Sequence, residues 1–163
     1  MEQNLVEMWL RRDPVRWISG VLAGLLAGVI AMSVAGALAC AFGFEAWFPV
    51  KLMGTVILGP SATETGNGMK SIYAGGAVVE GICLFFGFVY AHFTGTNRIG
   101  PLLAMGLVWG VFSWIFIWNL FLQSFRSIFV AAVPSSLAFP VCIAFGLSLA
   151  SVSLFDRMLR GKH

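Results

Sequence analysis

Four long apolar stretches, broken by short polar segments rich in Gly, Pro, Asn and charged residues, dominate the chain and predict four helices that cross a membrane. A helical crossing takes roughly 20 apolar residues. The stretches run from about residue 18 to 42, 71 to 93, 101 to 125 and 133 to 155. None shows the period-two alternation of a strand, so the fold class is all-α: an integral membrane bundle of four transmembrane helices forming a single domain over 1–163.

The segments between these stretches set their limits. Residues 1–12 mix Leu5, Val6, Met8, Trp9 and Leu10 with Glu2, Glu7, Arg11 and Arg12, the composition of a short helix lying in the membrane interface. Asp13 before Pro14 is a helix start, because a carboxylate caps free N–H groups and Pro at the first position has none to lose. Residues 43–70 form the one long connection, on the outer side. Its first half, with Trp47, Phe48, Leu52, Met53, Val56 and Ile57, reads as an amphipathic or re-entrant helix and its second half as a loop. The turn at 94–100 is short, which makes spans two and three antiparallel neighbours. Pro101 opens span three, Pro134 sits in the first turn of span four, and Pro140 predicts a kink there.

Composition strengthens this picture. Of 163 residues, 59% are hydrophobic and 10% charged, too few charges to cover a water-soluble globule of that size. The net charge of +3 does not point to nucleic acid, since the basic residues flank apolar stretches instead of forming a patch. They divide seven against three: Arg11, Arg12, Arg16, Arg98, Arg157, Arg160 and Lys162 on one side, Lys51, Lys70 and Arg126 on the other. The positive-inside rule then puts both termini in the cytoplasm of a multi-pass protein. Ala37-Leu38-Ala39 looks like a signal cleavage site, but the apolar run before it exceeds a signal core, so the first span is expected to stay.

Two local patterns recur. Spans two and four share Cys-x-x-Phe-Gly-x-x-x-Ala, at Cys83 to Ala91 and Cys142 to Ala150, and spans one and three share Gly-Leu-x-x-Gly-Val, at Gly24 to Val29 and Gly106 to Val111. The order is that of a tandem two-helix repeat, although chance recurrence of Gly, Ala and Phe in membrane helices gives the same matches. Gly20, Gly24 and Gly28, and Gly106 with Gly110, are spaced by four and form ridges for close helix packing.

Glu80 is the exception among the apolar residues. It falls near the middle of span two, where an ionised side chain costs roughly 2.5–3.5 kcal/mol, so it must face protein or water, or take a proton. Asn119, Gln123 and Arg126 follow one another along a stripe of span three and are the expected partners of Glu80 in an intramembrane polar cluster, which acts either as a clamp between helices or as a relay. Trp109, Trp114 and Trp118 crowd the same span and are expected to meet a partner subunit or lipid. His92 alone cannot ligate a haem from both sides. Cys40, Cys83 and Cys142 lack metal-site spacing and read as small buried residues. No phosphate loop, nucleophile elbow or metal cluster is visible, so neither a catalytic residue, a metal site nor a cofactor is expected.

The Gly20-x-x-Ala23-Gly24-x-x-Ala27 run, the second-span segment from Gly76 to Ala91 and the Gly106 to Val111 match together resemble the YagU-like group of small four-helix bacterial inner-membrane proteins. The resemblance implies that architecture and an association with acid tolerance, and carries no catalytic residue. Two functions are expected from the residues: a non-catalytic accessory or structural subunit whose partners are membrane lipids and other integral membrane subunits or further copies of itself, or a small transporter or proton-linked channel in which Glu80 titrates.

Overall fold

The computed structural model describes residues 13–63, 68–117 and 135–161, and these are almost entirely helical. In chain order they form α1 (Pro14–Ala41), α2 (Phe48–Leu58), α3 (Gly68–Phe93), α4 (Ile99–Phe116), α5 (Ser135–Ser148) and α6 (Val152–Arg160). Short 3-10 turns occupy Pro60–Thr63 and Leu149–Ser151, the second joining α5 to α6. Four helices, Pro14–Ala41, Gly68–Phe93, Ile99–Phe116 and Ala138–Arg160, are long and apolar enough to cross a membrane. The chain is thus an all-helical, multi-pass membrane protein. The expected interfacial helix at 1–12 lies outside the described residues.

Helix α1 starts as the Asp13-Pro14 signature requires: the Asp13 carboxylate accepts a hydrogen bond from the Arg16 backbone N–H at 3.2 Å, and Pro14 takes the first helical position. The chain leaves α1 through Gly43, whose φ of +80° is accessible to Gly without strain, and turns back beside the helix. Gly36 has room only for hydrogen because the carbonyl of Ala46 passes over it. The first half of the long connection forms α2 as expected, and its neighbours fix its direction. Val50 lies over Gly75 and Gly54 over Ser71, so α2 runs antiparallel to the first two turns of α3.

Helix α1 is the centre of the bundle and packs on α3, α5, α6 and α2. Its buried face consists of Gly20, Gly24 and Gly28 beside Ala23, Ala27 and Ala31. Gly20 and Gly24 touch the α3 backbone directly. A methyl group on either would collide with the carbonyl of Gly87 or Cys83, and one on Gly87 would collide with Gly20 and Gly24 in return. Helices α4 and α5 cross in the same way, Gly106 and Gly110 against Gly146 and the Cys142 carbonyl. By these packing roles Gly20 corresponds to Gly106 and Gly24 to Gly110. The shared Gly-Leu-x-x-Gly-Val pattern aligns the pair one turn differently.

Aromatic side chains fill the space between the two pairs. Phe86 of α3, which is buried, meets Trp109 and Phe116 of α4 edge-on at ring-centroid distances of 6.2 and 5.7 Å, and Phe145 of α5 at 6.3 Å. Tyr90 lies against Trp109 and donates its hydroxyl proton to the Leu102 carbonyl at 2.7 Å, so its polar end is satisfied inside an apolar layer. Ser19, Ser33 and Ser148 each bond the carbonyl four residues back, which hides their hydroxyls from the apolar surroundings. Pro140 lies within α5, and a 3-10 turn follows at Leu149–Ser151.

The glycine crossings give a direct prediction. Gly87→Ala and Gly146→Ala should each destabilise the detergent-solubilised protein by about 1–3 kcal/mol through backbone displacement, whereas Gly76→Ala, with open space around it, should not. Unfolding midpoints in mild detergent test this.

Candidate functional site

Charged and amide side chains converge at the end of the bundle where α1 begins, α3 turns into α4 and α6 ends. Arg16 stands on the first turn of α1 and is only 6% exposed. Its guanidinium reaches across to the α3–α4 turn. There Nη2 donates to the carbonyls of Thr94 and Thr96, at 2.9 and 2.8 Å, and Nη1 donates to Asn97 Oδ1. Thr94 is held in place by its own hydroxyl, which donates to the Tyr90 carbonyl at 2.8 Å and so extends the end of α3.

Asp156 supplies the counter-charge from α6. It is 1% exposed, and its Oδ2 lies 3.5 Å from Arg16 Nη1. Asn97 Nδ2 donates to the same oxygen at 2.8 Å, so one amide side chain bridges the two ions. Arg160, one turn on, donates from Nε to both Asp156 oxygens at 3.1 Å and pairs with Asp13 at 2.5 Å. The N-cap of α1 is thereby tied to the last turn of α6. A buried ion pair gains little over apolar packing unless its remaining donors and acceptors are met, and here Asn97, Arg160 and the Thr94 and Thr96 carbonyls meet most of them. Beside this cluster Trp17 Nε1 donates to His92 Nδ1 at 3.3 Å, and both rings pack on Phe88. Asp13, Arg16, Trp17, His92 and Thr94 line a shallow cleft there.

Glu80 forms a second, separate site in the middle of α3. A Cβ built on Gly28 of α1 would lie 3.0 and 3.1 Å from the two carboxylate oxygens and 3.1 Å from the Cys83 Cβ. Gly28 thus differs from Gly20 and Gly24: it makes room for a carboxylate, not for backbone. Glu80 Oε2 is sealed from solvent and has no hydrogen-bond partner among the described residues. The expected partners Asn119, Gln123 and Arg126 all lie outside the described residues, as does Trp118.

Trp109 and Trp114 are partly buried within the chain. Trp109 rests on Phe86 and Tyr90, and Trp114 meets Phe139 edge-on at 5.5 Å. The outward surface of α4 is formed by Leu103, Leu107, Val108, Phe112 and Ile115. Among the described residues no group of three or more His, Cys, Asp or Glu is placed to hold a metal ion.

The ionic end was the part hidden from sequence reasoning. In the sequence Arg16, Arg157 and Arg160 read only as positive charges that orient the chain, and nothing adjacent to Asp156 marks it as the counter-ion of Arg16. The available signal was the spacing of Asp156 and Arg160, one helical turn apart at the end of an apolar run, because an acid so placed needs a cation.

Removing one partner of the buried pair should cost far more than removing the exposed arm. Asp156→Ala leaves Arg16 buried without its counter-ion and should destabilise by about 3–5 kcal/mol. Arg160, whose side chain is 46% exposed, should cost about 1 kcal/mol or less when changed to Ala. In a double-mutant cycle on Arg16 and Asp156, followed by unfolding in detergent, the two substitutions should be strongly non-additive. No protein-family model, curated protein or solved structure matches the chain, so its own residues carry the functional reading.

Proposed function

We propose that this membrane protein is a non-catalytic accessory subunit that packs sideways against other integral membrane chains. The observation that carries this reading is α4. It buries only Leu102, Gly106, Gly110 and Ser113 within the chain and leaves Leu103, Leu107, Val108, Phe112 and Ile115 exposed along the rest of its surface. In a bilayer such a face meets either lipid or another helix, and its bulky aromatic and branched residues offer the shape on which a second protein can interlock. The bundle also has the rigidity a scaffold needs, with glycine crossings in both helix pairs and an ionic knot at one end.

A bacterial inner membrane with both termini in the cytoplasm fits this reading. Asp13, the 94–98 turn and Arg160 share one end of the bundle, and the seven-to-three division of basic residues makes that end the cytoplasmic one. A second reading, a proton-linked transporter, draws support from the unsatisfied Glu80 oxygen.

Two measurements test these readings. As a subunit the protein should co-purify with larger membrane proteins in mild detergent, and Val108→Arg with Phe112→Arg on α4 should release them; isolation as a lone monomer from its native membrane contradicts the proposal. As a transporter it should show pH-dependent flux in liposomes that disappears in Glu80→Gln, and unchanged flux in that variant rejects the second reading.

A further inference from the structure

The two helix pairs cross through matching glycines, which allows their next turns to be compared position by position. One turn beyond Gly24 on α1 stands Gly28, and one turn beyond Gly110 on α4 stands Trp114. On the partner helices, three residues before Cys83 stands Glu80, and three before Cys142 stands Phe139. In the α4–α5 pair this position is filled by Trp114 against Phe139, ring to ring at 5.5 Å. In the α1–α3 pair it holds a carboxylate against a glycine. If helix packing were all this position served, an apolar pair would serve it in both crossings.

We propose that the Gly28–Glu80 position is a proton-binding site inside the membrane, with the Glu80 carboxyl as the acceptor. The surroundings favour a proton over a metal cation. Hard cations need a cage of several oxygen donors, whereas the α1 residue facing this carboxyl is the bare Gly28, and among the described residues no group of three or more His, Cys, Asp or Glu is placed to hold a metal ion. No cation among the described residues pairs with it. The described ion pairs join Arg16, Arg160 and Lys51 to Asp156, Asp13 and Glu45, which lie toward the helix ends.

Among the described residues, the titratable groups placed near Glu80 are cysteines: Gly28 contributes none from α1, and Cys83 lies one turn away on α3 itself with Cys142 of α5 near it, while Lys51 of α2 pairs with Glu45. A proton is the smallest species that neutralises such a carboxylate, and it requires only that one oxygen become a hydroxyl. The proposal uses the same carboxylate as the transport reading but does not require transport, so proton binding and flux succeed or fail separately.

A lipid-soluble carbodiimide tests it on the full chain in liposomes. The reagent adds a protonated carboxyl across its C=N bond to give an O-acylisourea, which rearranges to a stable N-acylurea. The whole reagent is retained and nothing leaves. Peptide mapping by mass spectrometry should find the adduct at Glu80, with a yield that falls as pH rises and exceeds that at Glu45, an acid at the exposed edge of the protein. Gly28→Val, which fills the position, should cut the yield at Glu80 at least severalfold. Gly81→Val, at a glycine with open space around it, should leave it unchanged. Absence of the adduct at every pH, or labelling of Glu80 and Glu45 to the same extent along the same pH course, overturns the proposal. So does protection by sodium at fixed pH, which would make the occupant a metal cation.

Discussion

Lipid tails are as apolar as leucine, so helices in a bilayer are held together by close packing and interhelical hydrogen bonds instead of by the hydrophobic effect. In this chain that constraint is met by glycines that remove the side chain where two backbones cross. Gly20 and Gly24 against Gly87, and Gly106 and Gly110 against Gly146, set the distance within each pair. The distance in turn decides which other contacts can form. With α1 and α3 so close, Arg16 reaches the turn that follows α3, and the aromatic layer around Phe86 closes the gap to α4 and α5.

The chain treats its intramembrane and near-membrane charges in two different ways. At one end, Arg16 and Asp156 are buried together, and Asn97, Arg160 and the backbone of the α3–α4 turn take up most of their hydrogen-bonding capacity. This is a structural use of charge, one that links the start of the first span to the end of the last. In the middle of α3, Glu80 is given space but no described donor. A densely hydrogen-bonded network resists change, whereas an unsatisfied carboxylate has a reason to bind something.

The spans themselves were legible because each carries its own signal in local composition. Asp13-Pro14 marks the start of α1 where the residues predict it, and the turn expected at 94–100 separates α3 from α4 over 94–98, α4 starting at Ile99 ahead of Pro101. The last span departs most. Its helical stretch continues to Arg160, past the expected end near residue 155, because Asp156, Arg157 and Arg160 are polar partners of the other helix ends and not a break. Glu80 stood out because a lone acid in an apolar run is conspicuous. Its neighbour Gly28 belongs by spacing to a packing row, since spacing alone cannot tell a glycine that meets backbone from one that meets a carboxylate. The Arg16–Asp156 pair was hidden for a related reason: its members are 140 residues apart in sequence, and only the fold brings them together.

The central claim is a four-crossing bundle in which the start of α1, the turn after α3 and the end of α6 share one side, with the α2 connection opposite. Single cysteines at Thr96, Gly161 and Thr63, in a background with Cys40, Cys83 and Cys142 replaced by Ala, can be probed with a membrane-impermeant thiol reagent in sealed vesicles of known orientation. Thr96→Cys and Gly161→Cys should react from the same side and Thr63→Cys only from the other. Labelling of Thr96→Cys and Gly161→Cys from opposite sides, or of all three from one side, would contradict the architecture.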